Sequence, residues 1–202
     1  MKRLLWAVAL ALAACGQPQQ QQQAGEPAAY SAVEAPNYDA SIGPGGAAGI
    51  TASLPMTLAA VRAAAPRYIA AEAQDQIEGE AFTAITLSAG GEEVFRINPT
   101  ADRSRIHSIV TRSTQARGPA QEIVGVTLFS VAPPEQVEFC QSEQVDGGAG
   151  FACSTEEAGV FWRVYKLPEG YDGPSDPFDS IDPDLLHDAV LVEMRWVALR
   201  AP

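Results

Sequence analysis

Two histidines and three cysteines in 202 residues leave few groups for nucleophilic, acid–base or metal chemistry. Asp102, Ser104 and His107 carry the residue types of a hydrolase triad across a turn and a strand. Strand side chains alternate, so Ser104 and His107 point to opposite faces. No GxSxG turn exposes the serine. Glu92-Glu93 and Glu156-Glu157 are adjacent pairs. In strands such pairs point apart, unlike the facing carboxylates of a glycosidase. No glycine-rich phosphate loop follows a strand and opens a helix. We therefore expect no enzyme and no cofactor.

The most unusual stretch is Glu169 to Asp188, with seven acids and no Lys or Arg. Asp179, Asp182 and Asp184 are the weak candidates for a cation site. Calcium needs six to eight converging oxygens, and their spacing does not match an EF-hand loop. Asp182-Pro183-Asp184 also reads as an N-cap, a first-turn proline and a first-turn acid. That favours a short helix through Leu185 and Leu186 beside a solvated acidic loop, with no metal. Phe161, Trp162, Tyr165, Met194 and Trp196 form an aromatic-rich pair of strands. They are read as core and cross-strand packing, with a partner groove as the alternative.

The formal charge is −12, with only 13 basic residues. They are scattered, which argues against a nucleic-acid partner. Alanine supplies 35 residues of the apolar fraction, and alanine buries little. Met1-Lys2-Arg3 precedes an apolar run from Leu4 to Ala14. This is the plan of a signal peptide, too short for the about 20 residues that span a bilayer. Leu12-Ala13-Ala14-Cys15 resembles the bacterial lipobox. That resemblance implies lipidation of Cys15, cleavage before it, and a membrane partner reached through the lipid. Gly16 follows the cysteine, where an aspartate would mark inner-membrane retention in the lipoprotein class. The expected location is the outer membrane, with the domain in the periplasm. Loss of Lys2 and Arg3 makes the mature chain more negative still, so the lipid and no basic patch would hold it there.

The chain divides into a signal peptide, 1–14, an anchor and flexible tether, 15–49, and a folded part, 50–202. The tether carries five glutamines, Gln19 to Gln23, and ends in glycine-rich sequence. Such composition buries too little to offset ordering entropy. Ile50 to Ala52 is a short extended piece. A helix is expected over Met56 to Ala65, with Pro55 in its first turn and Pro66 as its stop. Strands follow at 68–76, 81–89, 92–98 and 104–113, with Gly90-Gly91 as a hairpin turn. The plan restarts at Val124 to Val131, read as a second short helix ended by Pro133-Pro134. Strands then fall at 136–141, 150–155, 159–167 and 189–199. The fold class is α+β: mostly antiparallel β with two short helices, patterned as a helix-plus-four-strand unit repeated in tandem. Cys140 and Cys153 flank a segment with Gly147-Gly148, and a hairpin would set them side by side. After export a disulfide is their default. A redox or metal pair is the rival reading.

Several segments resemble an uncharacterised family of Gram-negative envelope lipoproteins of the sigma-E-regulated type. They are Gly49-Ile50-Thr51, Glu78-Gly79, Arg105 to Ile109, Val124-Gly125, Cys140 and Cys153, Val164-Tyr165, and Val192 to Trp196. The resemblance spans about residues 49 to 197 and carries no catalytic residues to transfer. It implies an envelope location and a stress-response context. The expected function is a non-enzymatic outer-membrane lipoprotein whose domain binds an envelope component. The alternative is a periplasmic inhibitor of a basic enzyme such as lysozyme. It rests on fold analogy and on steering by negative charge.

Overall fold

The computed structural model describes residues 38–199 apart from 78, 158, 170 and 172–182. Cys15, Asp179 and Asp182 lie outside the described residues, as does the side chain of Asp184. The signal peptide and most of the tether lie outside them too. No helix among the described residues is long and apolar enough to cross a membrane.

The ordered fold begins earlier than residue 50. Strands β1 (Ile42–Gly43) and β2 (Gly46–Ala47) pair as a miniature hairpin. Ala40, Ile42, Ala47, Ala48 and Ile50 are buried in it. Gly46 has φ +117°, and a Cβ there would meet the Ile50 carbonyl oxygen at 1.9 Å, so only glycine closes this turn. Tyr68 Oη donates to the Asp39 carbonyl at 2.5 Å, and Trp196 Nε1 to the Pro44 carbonyl at 3.0 Å. The tether reading of 38–49 is therefore corrected. Two-residue strands show no period, so composition alone read as coil.

Helix α1 runs Leu58–Ala64. Its cap is Thr57, whose Oγ1 accepts from Ala60 N at 3.2 Å. Capping by Thr57 leaves Pro55 outside the helix, where it bridges Arg105. Val61 is the helix residue wholly buried, and the turns end at Ala65, just before Pro66.

Eight strands form one antiparallel sheet: β3 (Ile69–Ile77), β4 (Glu80–Ala89), β5 (Glu92–Pro99), β6 (Ile106–Thr111), β7 (Phe139–Val145), β8 (Gly148–Ser154), β9 (Phe161–Lys166) and β10 (Val190–Val197). Their order is β3-β4-β5-β6-β10-β9-β8-β7. Each half is a four-stranded run, and the two halves meet through their last strands, β6 and β10. The fold is thus mostly antiparallel sheet with few short helices.

The expected helix at Val124 to Val131 does not form. Gly125 has φ +77°, and the backbone of this segment turns toward the start of β10. Gly125 N donates to Leu191 O at 2.7 Å, Leu191 N to Thr127 O at 2.8 Å, and Phe129 N to Ala189 O at 2.8 Å. Bonds that a helix would make internally are spent across chain segments, as suits its β-branched residues. Only single 3₁₀ turns remain, at Phe129–Val131 and Pro134–Gln136. The second helix, α2, is Pro183–His187, where the Asp182-Pro183 cap signal pointed.

One face of the sheet carries the main core, including Leu87, Phe95, Ile97, Ile109, Phe151, Tyr165, Met194 and Trp196. The N-terminal hairpin, α1 and the connection between β6 and β7 contribute residues to it. Phe161, Tyr165, Met194 and Trp196 are core residues, as packing predicted. Trp162 points to the other face with Val145, Ala152, Val164 and Val192.

Cys140 and Cys153 are direct register partners on β7 and β8 and form a disulfide, with Cα atoms 4.1 Å apart. The turn between them uses Asp146 and Gly147, both at positive φ. Changing both cysteines to alanine should cost about 3 kcal/mol in the chain-entropy account. Urea melts of the variant and of the reduced wild type should show matching losses.

Candidate binding face

The face opposite the core is where charged side chains gather. Direct register partners place Ala71, Thr86, Arg96, Val110, Arg195 and Trp162 in one row across β3, β4, β5, β6, β10 and β9. Asn98, Ser108 and Val197 form part of a second row. Partners directly opposite share a face of the sheet. Arg96, Val110 and Arg195 of the first row and all three residues of the second line a broad groove of about 1990 Å³, together with the β5–β6 turn, 100–105.

Every guanidinium of the central rows is held by carboxylates. Arg96 donates to Glu93 at 2.9 Å through Nε and again through Nη2, and to Asp75 at 3.0 Å through Nη1. Arg195 donates to Glu193 at 2.5 Å and Glu143 at 2.7 Å. Arg112 reaches Glu193 at 2.9 Å and Asp146 at 3.6 Å. Five of these residues form a chain, Glu143–Arg195–Glu193–Arg112–Asp146, that ties the β7–β8 hairpin to both β10 and the end of β6. Burial opposes the charge on Arg195, and its two carboxylates more than offset that, leaving its pKa above the ordinary arginine value. Glu193 is 4% exposed and sits between the two arginines.

A second ion pair lies inside the molecule. Arg163 Nε donates to Glu122 Oε1 at 2.6 Å, with both side chains 3% exposed. Arg163 also bonds the Gln136 side chain and lies 4.8 Å from the centre of the Phe161 ring. Glu122 Oε2 accepts from Ala120 N at 2.6 Å. Together these bonds fasten the long β6–β7 connection to β9. A Cβ on Gly118 would meet Glu122 Oε2 at 2.4 Å, so this glycine makes room for the carboxylate.

The triad residue types do not assemble a relay. Ser104 Oγ donates to Asp102 Oδ2 at 2.8 Å, which is the wrong pairing for activating a serine. Asp102 also accepts from Thr100 Oγ1 at 2.5 Å and Ser104 N at 3.1 Å. The bond from Thr100, then those from Ser104, hold its pKa down at about 2. His107 is exposed on β6. Among the described residues, no group of three or more His, Cys, Asp or Glu could hold a metal ion.

Sequence reasoning missed Arg96, Asn98, Arg112, Glu193 and Arg195. One signal was available: Glu193 and Arg195 alternate with Met194 and Trp196, so one parity of the last strand is charged. Two buried polar atoms among the described side chains make no hydrogen bond, Asn98 Oδ1 and Tyr165 Oη. Burial pushes the Tyr165 hydroxyl pKa up, so it stays neutral among Phe129 and Phe151.

An open antiparallel sheet with one face packed and one face polar defines the class of fold. No protein-family model and no curated protein matches the chain. Among solved structures it is similar to the crystal structure of the uncharacterized protein yfeY from Escherichia coli. The two share 19% identity and a TM-score of 0.57, over 78% of this chain and 99% of that one. At that identity the likeness is one of fold.

Two outcomes are expected. Glu122→Gln strands a buried guanidinium and should cost about 3–5 kcal/mol, whereas Glu122→Leu with Arg163→Met recovers much of it; urea melts measure both. The second concerns pH. The folded pKa of Asp102, about 2, lies below an unfolded value of about 3.9. Its contribution is therefore complete above about pH 4 and lost as pH falls through 2. The protection of the Ser104 amide relative to its intrinsic exchange rate should fall over that window, and Asp102→Asn should abolish the step.

Proposed function

We propose that the chain is a lipid-anchored binding protein of the bacterial outer membrane whose periplasmic domain takes an envelope component on the open sheet face. The carrying observation is that face itself: rows of arginines and carboxylates, held in fixed geometry, with no element among the described residues packed over them. Preorganised polar groups lower the cost of ordering side chains on binding. The lipobox at Cys15 supports the anchor. The short segments shared with the sigma-E-regulated type of envelope lipoprotein support the location and a role in envelope stress. The likeness to an uncharacterized bacterial protein is one of fold and goes no further than that. The mirrored strand order of the two halves supports reading them as a tandem duplication whose second helix has been replaced by 3₁₀ turns.

The lysozyme-inhibitor alternative gains nothing from this face, where arginines balance the carboxylates. Two measurements on living cells test the main reading. Cys15→Ser should move the chain from the membrane to the soluble fraction. A photo-crosslinking residue at Val110 should capture an envelope component, while one at exposed Glu72 should not. A chain that stays membrane-bound without Cys15, or crosslinks nothing at Val110, overturns it.

A further inference from the structure

Resting on the binding reading just given, the geometry points to an occupant of the groove: we infer that it takes a neutral glycan strand. Charge is the first argument. Five arginines (Arg96, Arg103, Arg105, Arg112 and Arg195) line the groove beside five carboxylates, running from Asp75 to Glu193. The groove is thus formally neutral in a chain of charge −12. Half of the basic residues in the described part of the chain sit there. An acidic ligand at Arg96 or Arg195 would have to displace Glu93, Asp75, Glu143 or Glu193, and a basic one would have to displace the arginines; Arg103, on the Ala81 carbonyl, and Arg105 stand exposed beyond the β5 and β6 rows.

A neutral polyhydroxyl ligand displaces neither. An arginine has five N–H donors, and Arg96 spends three on Glu93 and Asp75. The carboxylate oxygens keep free lone pairs. Vicinal hydroxyls can accept from a guanidinium and donate to its carboxylate at once. Such donor–acceptor pairs recur at Arg96 and at Arg195, two strands apart and about 10 Å from each other. In the neighbouring row Asn98 donates Nδ2 to Ser108 Oγ at 3.1 Å and keeps a buried Oδ1 with no partner. That oxygen is an acceptor left unspent beside the groove floor.

Shape is the second argument. Where the packed face uses Leu87, Phe95 and Ile97, the groove is lined between its arginines by Ser108, Val110 and Val197, with Ala81 and Phe82 toward β4. Side chains as short as those between the arginines let a flat sugar ring come close to the sheet. An apolar peptide would find no deep anchor there.

The test uses the full chain carrying Cys15→Ser, titrated with chitohexaose, maltohexaose and laminarihexaose, and with hexa-aspartate and hexalysine as charged probes. Backbone amide shifts and calorimetry read binding. At least one hexasaccharide should shift resonances of β5, β6 and β10, with an affinity insensitive to salt between about 0.01 and 1 M. Arg96→Ala should weaken it about tenfold. Ser108→Ala gives a second, milder loss in a chain whose circular dichroism is unchanged. Binding of a charged peptide in place of the sugars overturns the inference. So does silence to all three sugars. If Val110 crosslinks a protein while the sugars stay silent, the binding reading stands and the glycan falls; if both tests are silent, both fall.

Discussion

β10 pairs on one side with β6 and on the other with β9, so every hydrogen-bonded path between the two halves of the sheet runs through its eight residues. The two faces of that strand do different jobs, and a bulge between Leu191 and Glu193 brings Leu191 to the core side. Leu191, Met194 and Trp196 enter the core, and Trp196 also fastens the N-terminal hairpin through the Pro44 carbonyl. Glu193 and Arg195 face the other way and hold the ion-pair chain that reaches the β7–β8 hairpin. At its start, Ala189 and Leu191 take the backbone bonds of the connection that skirts the core. Remove this strand, and the hairpin, the connection, the groove wall and the seam all lose a partner at once.

The charged groups divide by environment. Glu122 and Arg163 are sealed in, where desolvation is costly and each charge depends on the other. Their value lies in position: they join to β9 a connection whose backbone is otherwise bonded to the start of β10. Arg96 and its partners are about one-third exposed, and there the Coulomb gain is modest. What those pairs supply to the open face is rigidity of the side chains.

Strand positions were legible because alternation is local. β4, β5 and β10 begin or end within two residues of the boundaries read from pattern, and Thr57, absent from that reading, moves the helix start by two. Gly147 between Cys140 and Cys153 was enough to place the disulfide hairpin. Strand order was not legible, because nothing within Val190 to Val197 says that its neighbours are β6 and β9. The site suffered from the same gap. Arg96, Arg112 and Arg195 are far apart in the chain, and only the register of β5, β6 and β10 brings them to one face. At 38–49 and 124–131, tertiary hydrogen bonds decided the conformation against composition and helix pattern.

Among the described residues the sheet has two free edges, β3 and β7, and a free edge is a template on which another chain can polymerise. β7 is tied covalently to β8 at Cys140–Cys153, so it cannot peel away and exchange with a neighbour. β3 has no such bond; instead Arg62 on α1 lays its guanidinium on the Ala70 carbonyl through two hydrogen bonds. One edge is thus guarded by redox state and the other by charge. The protein's resistance to aggregation should therefore differ between its two ends when the surroundings turn reducing: β7 loses its guard and β3 keeps its own.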